Sequence, residues 1–120
     1  MKINMELFNG RHALPQPVDG AVFSSEVDPT NLVQLEGISF NSIWSICDSK
    51  GFTETVIRED PDGREEYVRV ISRGVHLNLY VSGLTVALIA TLNQCRRENI
   101  TVTLWHYNRE TGEYYPQPVI

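Results

Sequence analysis

The sequence predicts a single α+β domain, and three kinds of pattern indicate it. Short stretches alternate apolar and polar residues with a period of two, which is typical of half-buried strands. Two longer stretches repeat apolar residues at the spacing of an amphipathic helix, and turn-forming Gly and Pro residues separate the stretches. We expect a mixed, mostly antiparallel sheet with two helices packed on one face. The predicted strands lie near 2–8, 52–58, 65–73, 75–81, 100–107 and 113–116, and the predicted helices near 40–49 and 83–98.

The N-terminal third is predicted to be a strand followed by an irregular arm. Ile3, Met5 and Leu7 alternate with polar neighbours and indicate the first strand. Residues 9–37 contain repeated turn signals, beginning with the Asn9-Gly10 dipeptide, so we expect an irregular arm over the core there. Helix one then follows, as an apolar stripe of Phe40, Ile43, Trp44 and Cys47.

Short links and one long link set the expected strand order in the rest of the chain. Because only short turns join the segments between 52 and 81, we expect them to form a three-stranded meander. A helix separates strand 75–81 from strand 100–107, and such a crossover predicts that these two strands are parallel. Helix two is apolar around most of its circumference, so it needs cover on more than one side. We therefore predict a homo-oligomer, most simply a dimer.

Length, charge and cysteine content limit the possible classes of protein. A chain of 120 residues is expected to form one domain over 1–120. The net charge of −5 disfavours binding to duplex nucleic acid, which needs clustered Lys and Arg. The N-terminus has no signal-peptide pattern, and no apolar run is long enough to span a bilayer. Cys47 and Cys95 fall in predicted helices without metal-ligand spacing, so we expect free, buried thiols in a cytoplasmic protein.

Aromatic and polar side chains are predicted to share the sheet face that is turned away from the helices. Aromatic rings beside Arg and Asn can stack on a planar ligand and pair with its phosphate or polar edges. The same composition also suits a protein interface, or internal packing beneath the arm. The predicted ligand- or partner-binding residues are Tyr67, Arg69, Arg73, His76, Asn78, Tyr80, Trp105 and Tyr107.

Acidic residues concentrate at the predicted turn between the second and third strands. The Asp60-Pro61-Asp62-Gly63 segment lacks the downstream Glu of an EF-hand loop, so we expect a solvated turn rather than a calcium site. Asp60, Asp62 and Glu65 are placed to contact a basic partner.

The sequence contains no catalytic or cofactor signature that we recognise. Phosphate-binding glycine loops and nucleophile elbows are absent. Strand alternation places His76 and His106 on opposite faces, and His12 has no ligand partners at metal spacing, so neither a metal nor a cofactor is expected.

These observations favour a non-enzymatic binding protein. Our first hypothesis is a small inhibitor or adaptor of the phage or bacterial accessory type, which docks on another protein. A second hypothesis is a protein that sequesters a small planar, anionic ligand such as a nucleotide. A third is a small hydrolase or transferase that uses His76 with Tyr or Glu.

Overall fold

The computed structural model describes residues 1–10, 13–24 and 26–120, and over these residues the chain forms seven strands and two helices. They make up a single small α+β domain, which confirms the predicted fold class. The strands are β1 (Lys2–Phe8), β2 (Gly20–Phe23), β3 (Thr53–Glu59), β4 (Glu65–Ile71), β5 (His76–Tyr80), β6 (Thr101–Asn108) and β7 (Glu113–Pro118). The helices are α1 (Leu32–Ser49) and α2 (Thr85–Arg97).

The main sheet has the strand order β2-β1-β5-β6-β7, in which β7 is antiparallel to β6 and the other neighbours are parallel. It is therefore mixed, as predicted, but mostly parallel rather than mostly antiparallel. The predicted parallel crossover from β5 through α2 to β6 is confirmed. Alternation along the strands buries Met5, Leu79 and Leu104 against the helices. The same alternation turns Glu6 and Tyr80 toward the opposite face.

β3 and β4 form a separate antiparallel hairpin, in which each strand pairs only with the other among the described residues. The predicted meander therefore does not continue from β4 into β5, because β5 is inserted between β1 and β6. Ile71 anchors the base of the hairpin in the core, and the Ser72 amide donates to the Phe52 carbonyl at 2.8 Å. The outer part of the hairpin is exposed, and the chain is elongated, with extents of 58 × 32 × 22 Å.

α1 begins at Leu32, eight residues before the predicted start near 40, so the C-terminal end of the predicted arm is helical. The Asn31 side chain caps the helix by accepting from the Gln34 amide at 3.1 Å. Gly37 within a helix costs about 1 kcal/mol relative to Ala. Complete burial of Leu35 contributes roughly 1.5–3 kcal/mol and outweighs that cost.

The helices pack on each other and on one face of the main sheet. The Ser39 and Thr91 hydroxyls lie 3.3 Å apart at the helix contact, and each also donates to a carbonyl of its own helix. Cys47 and Cys95 are buried and free, as predicted. In the described part of the chain, neither helix is both long enough and apolar enough to cross a membrane.

Candidate functional site

The sheet face opposite the helices carries the candidate site. Because strand register aligns side chains across the sheet, this face has rows that run from β1 to β7. One row contains Glu6, Tyr80, Trp105 and Pro116. The next row toward the start of the parallel strands contains Asn4, Asn78, Thr103 and Pro118. The first of these rows lies at the carboxyl end of β5, where Tyr80 is the last residue of the strand.

Four aromatic rings form a cluster on this face. The Tyr80 and Trp105 rings are stacked, with centroids 6.0 Å apart and an interplanar angle of 18°. Tyr114 meets Tyr80 edge-on at 5.1 Å and 81°, and Tyr107 lies 5.3 Å from Tyr114. The cluster therefore presents ring surfaces in two nearly perpendicular directions.

A ladder of hydrogen bonds fixes the orientation of Trp105. The indole Nε1 donates to Asn78 Oδ1 at 3.2 Å, and Asn78 Nδ2 donates to Asn4 Oδ1 at 3.0 Å. Since both amides are bonded to neighbours on the sheet, the indole plane is held before any ligand arrives. Such preorganisation reduces the entropy lost on binding.

A cleft of about 570 Å³ lies between this cluster and the arm segment 13–16. Gln16 Nε2 donates to Tyr80 Oη at 2.8 Å and ties the arm to the aromatic cluster. The lining residues are Ala13, Leu14, Pro15, Gln16, Tyr80, Trp105, Gly112, Glu113 and Tyr114. The cleft thus combines ring faces, a short apolar wall and a few polar groups, which is the usual composition of a small-molecule site.

The charged side chain among the described lining residues of the cleft is acidic. Glu113 is the one carboxylate among its described lining residues, and no Lys or Arg is among them. Glu6 adjoins Tyr80 across the sheet, is 8% exposed, and accepts from the Gly10 amide at 3.3 Å. Burial raises the pKa of Tyr114, and the neighbouring Tyr107, Glu6 and Tyr80 raise it further. The Tyr114 phenol therefore keeps its proton and can donate a hydrogen bond.

The structure brings together only part of the predicted aromatic surface. His76, Asn78, Tyr80, Trp105 and Tyr107 share the main sheet face, as expected from their alternation. Tyr67 and Arg69 do not, because β4 pairs with β3 rather than with β5. Tyr67 is exposed on the hairpin, and Arg69 donates to Thr55 Oγ1 at 3.1 Å. Arg73 lines a different cleft, of about 330 Å³, with Arg97 and Glu98.

His76 lies at the other end of β5 from the cleft. Its Nδ1 is 2.7 Å from Thr101 Oγ1 and its Nε2 is 3.0 Å from Thr103 Oγ1, so both ring nitrogens are engaged. Burial lowers the pKa of His76, and the positive charge of Lys2 lowers it further. His106 is on the opposite face, where Nε2 is 2.7 Å from Gln117 Oε1.

The acidic turn of the hairpin is organised by one of its own carboxylates. Asp60 Oδ1 accepts from the amides of Asp62 and Arg64, at 3.0 and 2.8 Å. Glu65 follows at the start of β4 and is exposed. Within 1–10, 13–24 and 26–120, no group of three or more His, Cys, Asp or Glu residues is placed to hold a metal ion. The expectation that His12 is not a metal ligand concerns a residue that lies outside the described ones.

Sequence reasoning missed the contributions of Gln16, Glu113 and Tyr114. Tyr114 could have been predicted from the sequence, because a strand antiparallel to β6 places every second residue on the same face as Trp105. The position of Gln16 could not have been predicted, since it depends on the path of the arm.

No family model, curated protein or solved structure matches the chain.

Proposed function

We propose that this chain is a non-enzymatic binding protein that holds a small planar ligand in the cleft between the arm and the aromatic cluster. The observation that carries the proposal is the cleft of about 570 Å³ beside the stacked Tyr80 and Trp105 rings. Ligand sites generally enclose roughly 300–1,000 Å³, so this volume suits a ligand of one to three fused or linked rings.

The energetics also favour a planar ligand. Stacking of a ring on an aromatic side chain contributes about 1–3 kcal/mol. Trp105 is partly exposed and Tyr114 is half-buried, so each retains ring surface for a ligand. Glu113 and the Gln16 carboxamide supply polar groups that can orient ring substituents. Stacking on one ring with one or two hydrogen bonds totals about 2–6 kcal/mol, which corresponds to dissociation constants from tens of micromolar into the millimolar range.

The test is a ligand titration monitored at Trp105. The chain has two tryptophans, so Trp44→Phe leaves the Trp105 indole N–H as a single NMR probe. We expect members of a panel of nucleosides, pterins and pyridine derivatives to shift this signal saturably. Tyr114→Ser should weaken binding about tenfold or more, because it removes one wall of the cleft.

Tyr115→Ser is the matched control for that experiment. Tyr115 is the next residue of β7, is 51% exposed, and lies on the opposite face, where its ring contacts His106. The control should leave affinity unchanged. If no ring compound of any charge shifts the Trp105 signal, the proposed function is refuted.

Protein docking is a second candidate function, and the β3–β4 hairpin supports it. Ile57 and Tyr67 are cross-strand neighbours on this hairpin, and they are 57% and 74% exposed. Next to them lie the acidic residues Asp60, Asp62 and Glu65. Apolar side chains beside a carboxylate-rich turn suit a partner that presents a basic, partly apolar surface, as an inhibitor or adaptor target would.

Charge reversal tests the docking candidate. A partner captured by the wild type, identified and purified should bind at least tenfold more weakly to Asp62→Lys or Tyr67→Ser. Glu26→Lys, on an exposed residue outside the hairpin, controls for net charge. Equal binding by all variants would exclude the hairpin as the docking site.

The two buried, free thiols support the cytoplasm as the compartment of the protein, because disulfides are rare there.

The hydrolase or transferase alternative has less support. His76 and Tyr80 are separated by roughly 13 Å along β5, at about 3.3 Å per residue. Both nitrogens of His76 are already paired with threonine hydroxyls.

A further inference from the structure

We infer that the ligand of the aromatic cleft is an organic cation, namely a planar ring that carries a delocalised positive charge. This inference rests on the proposed function, because it specifies the charge of the ligand held in the same cleft. Three features of the site lead to it: the aromatic walls, the carboxylates near them, and the locations of the arginines.

The aromatic walls attract cations. The face of an aromatic ring carries negative electrostatic potential, and a cation within about 6 Å of the ring centre is stabilised by it. Trp105, the ring type that binds cations best, lines the cleft together with Tyr80 and Tyr114. Tyr80 is 3% exposed, so the ring surface on which a flat cation can stack belongs to Trp105 and Tyr114, which are partly exposed.

The charged groups at the site have the sign that suits a cation. The Glu113 carboxylate lines the cleft, and Glu6 lies beside Tyr80 in the same row of the sheet. No Lys or Arg occurs among the described lining residues. The net charge of the chain, −5, adds a long-range field of the same sign. A ligand with a delocalised charge is weakly hydrated, so it loses little solvation on entering such a site.

The arginines expected to bind an anionic ligand are engaged elsewhere. Arg69 lies on the hairpin, where its guanidinium donates to Thr55 and approaches Asp48 at 3.6 Å. Arg73 lines the other cleft, at the start of β5 rather than at its end. A planar anion such as a nucleotide would thus meet the Glu113 carboxylate in the aromatic cleft without a cation among the described lining residues to pair with.

A matched series of ligands tests the sign of the charge. 1-Methylnicotinamide is cationic, nicotinamide is neutral and nicotinate is anionic, yet all three share one planar ring. Each is titrated into the Trp44→Phe protein while the Trp105 indole signal is followed. We expect 1-methylnicotinamide to bind about tenfold more tightly than nicotinamide, and nicotinate to bind more weakly than either.

Substitution of one carboxylate tests the residue assignment. Glu113→Gln should weaken binding of 1-methylnicotinamide about twofold to fivefold and leave nicotinamide unchanged. Glu110→Gln is the control, because Glu110 is exposed in the same β6–β7 turn, does not line the cleft, and changes the net charge equally. Equal effects of the two substitutions would overturn the role of Glu113.

The outcomes separate this inference from the proposed function. If nicotinamide or nicotinate binds as tightly as 1-methylnicotinamide, the charge assignment is wrong while the cleft remains a ring-binding site. The same conclusion follows if other rings of the panel bind and 1-methylnicotinamide does not. If no ring compound binds, both statements fail.

Discussion

Gly83, between β5 and α2, should be the glycine that is least tolerant of substitution among those with positive φ. Its φ is +81°, a conformation that side chains with a Cβ rarely adopt. A Cβ at this position would lie 2.9 Å from Cδ2 and 3.0 Å from Cε2 of Phe8. The Phe8 ring is 3% exposed and stacks on Phe23 at 5.3 Å, so it has little room to move.

The expected cost of Gly83→Ala has two parts. The left-handed backbone conformation costs about 1–2 kcal/mol for a residue with a Cβ. Overpacking against a buried ring adds about 1–3 kcal/mol. Gly112→Ala isolates the first part, because Gly112 has a φ of +72° and no atom within 4 Å of the added Cβ. The free energy of unfolding should therefore fall about 1–3 kcal/mol further for Gly83→Ala than for Gly112→Ala.

Urea unfolding followed by circular dichroism measures this difference, provided that the m-values agree. A double-mutant cycle with Phe8→Leu adds a direct check of the contact. Because leucine removes the crowded ring edge, Gly83→Ala should be less destabilising in the Phe8→Leu background. If Gly83→Ala and Gly112→Ala differ by less than about 0.5 kcal/mol, contact with Phe8 is not the reason that glycine is required.

Three further predictions concern the thiols, His76 and the oligomeric state. Burial raises the pKa of Cys47 to about 11 and that of Cys95 to about 12, so few thiolates are present at pH 8. Because the thiolate is the reactive form, iodoacetamide at pH 8 should alkylate the native protein about a hundredfold more slowly than the unfolded protein. Both thiols contribute stability below pH 9.0 that is lost as the pH rises toward 11 and 12, and Cys47→Ala/Cys95→Ala should flatten this alkaline decline in Tm. Burial lowers the pKa of His76 below 6.5, so the stability that the neutral ring contributes should be lost as the pH falls below 6.5. In His76→Gln, the free energy of unfolding should therefore decrease less between neutral and acidic pH than in the wild type. Ile89 and Leu84 of the α2 segment are 50% and 42% exposed, which favours contact with a second copy of the chain. Light scattering at tens of micromolar should give a dimer mass for the wild type and a monomer mass for Ile89→Arg, and a monomeric wild type would contradict the prediction.

Strand alternation predicts which face a side chain occupies, but it does not predict which strand lies next to it. Asn78, Tyr80 and Trp105 were placed correctly on one face because only their own strands decide it. Arg69 has the same alternation, yet it lies in another sheet because β1 and β6 take both edges of β5. Short links favour neighbouring strands, but burial of Leu77 and Leu79 between two parallel neighbours overrides that preference.

The start of α1 was missed because local propensity and tertiary packing disagree there. Gly37 and the exposed Val33 obscure the amphipathic pattern that becomes clear after residue 40. The capping interaction between Asn31 and Gln34 was a readable signal for the earlier start. Leu35 and Ser39 also continue the spacing of Ile43 and Cys47 by whole steps of four, and all four are buried.

The direction of β2 explains why the cleft exists. β1 and β2 are parallel neighbours, with Met5 opposite Gly20, so the chain that leaves β1 at Phe8 must run back along the sheet before β2 begins. The helices fill one face, and the hydrogen bond from Gln16 to Tyr80 places the returning segment over the other. Pro15 and Pro17 have no amide donors, so this segment does not pair as a further strand and leaves space above Trp105. A ligand in that space would contact both the arm and the strands, and its affinity would therefore depend on how the arm is held as well as on the aromatic cluster.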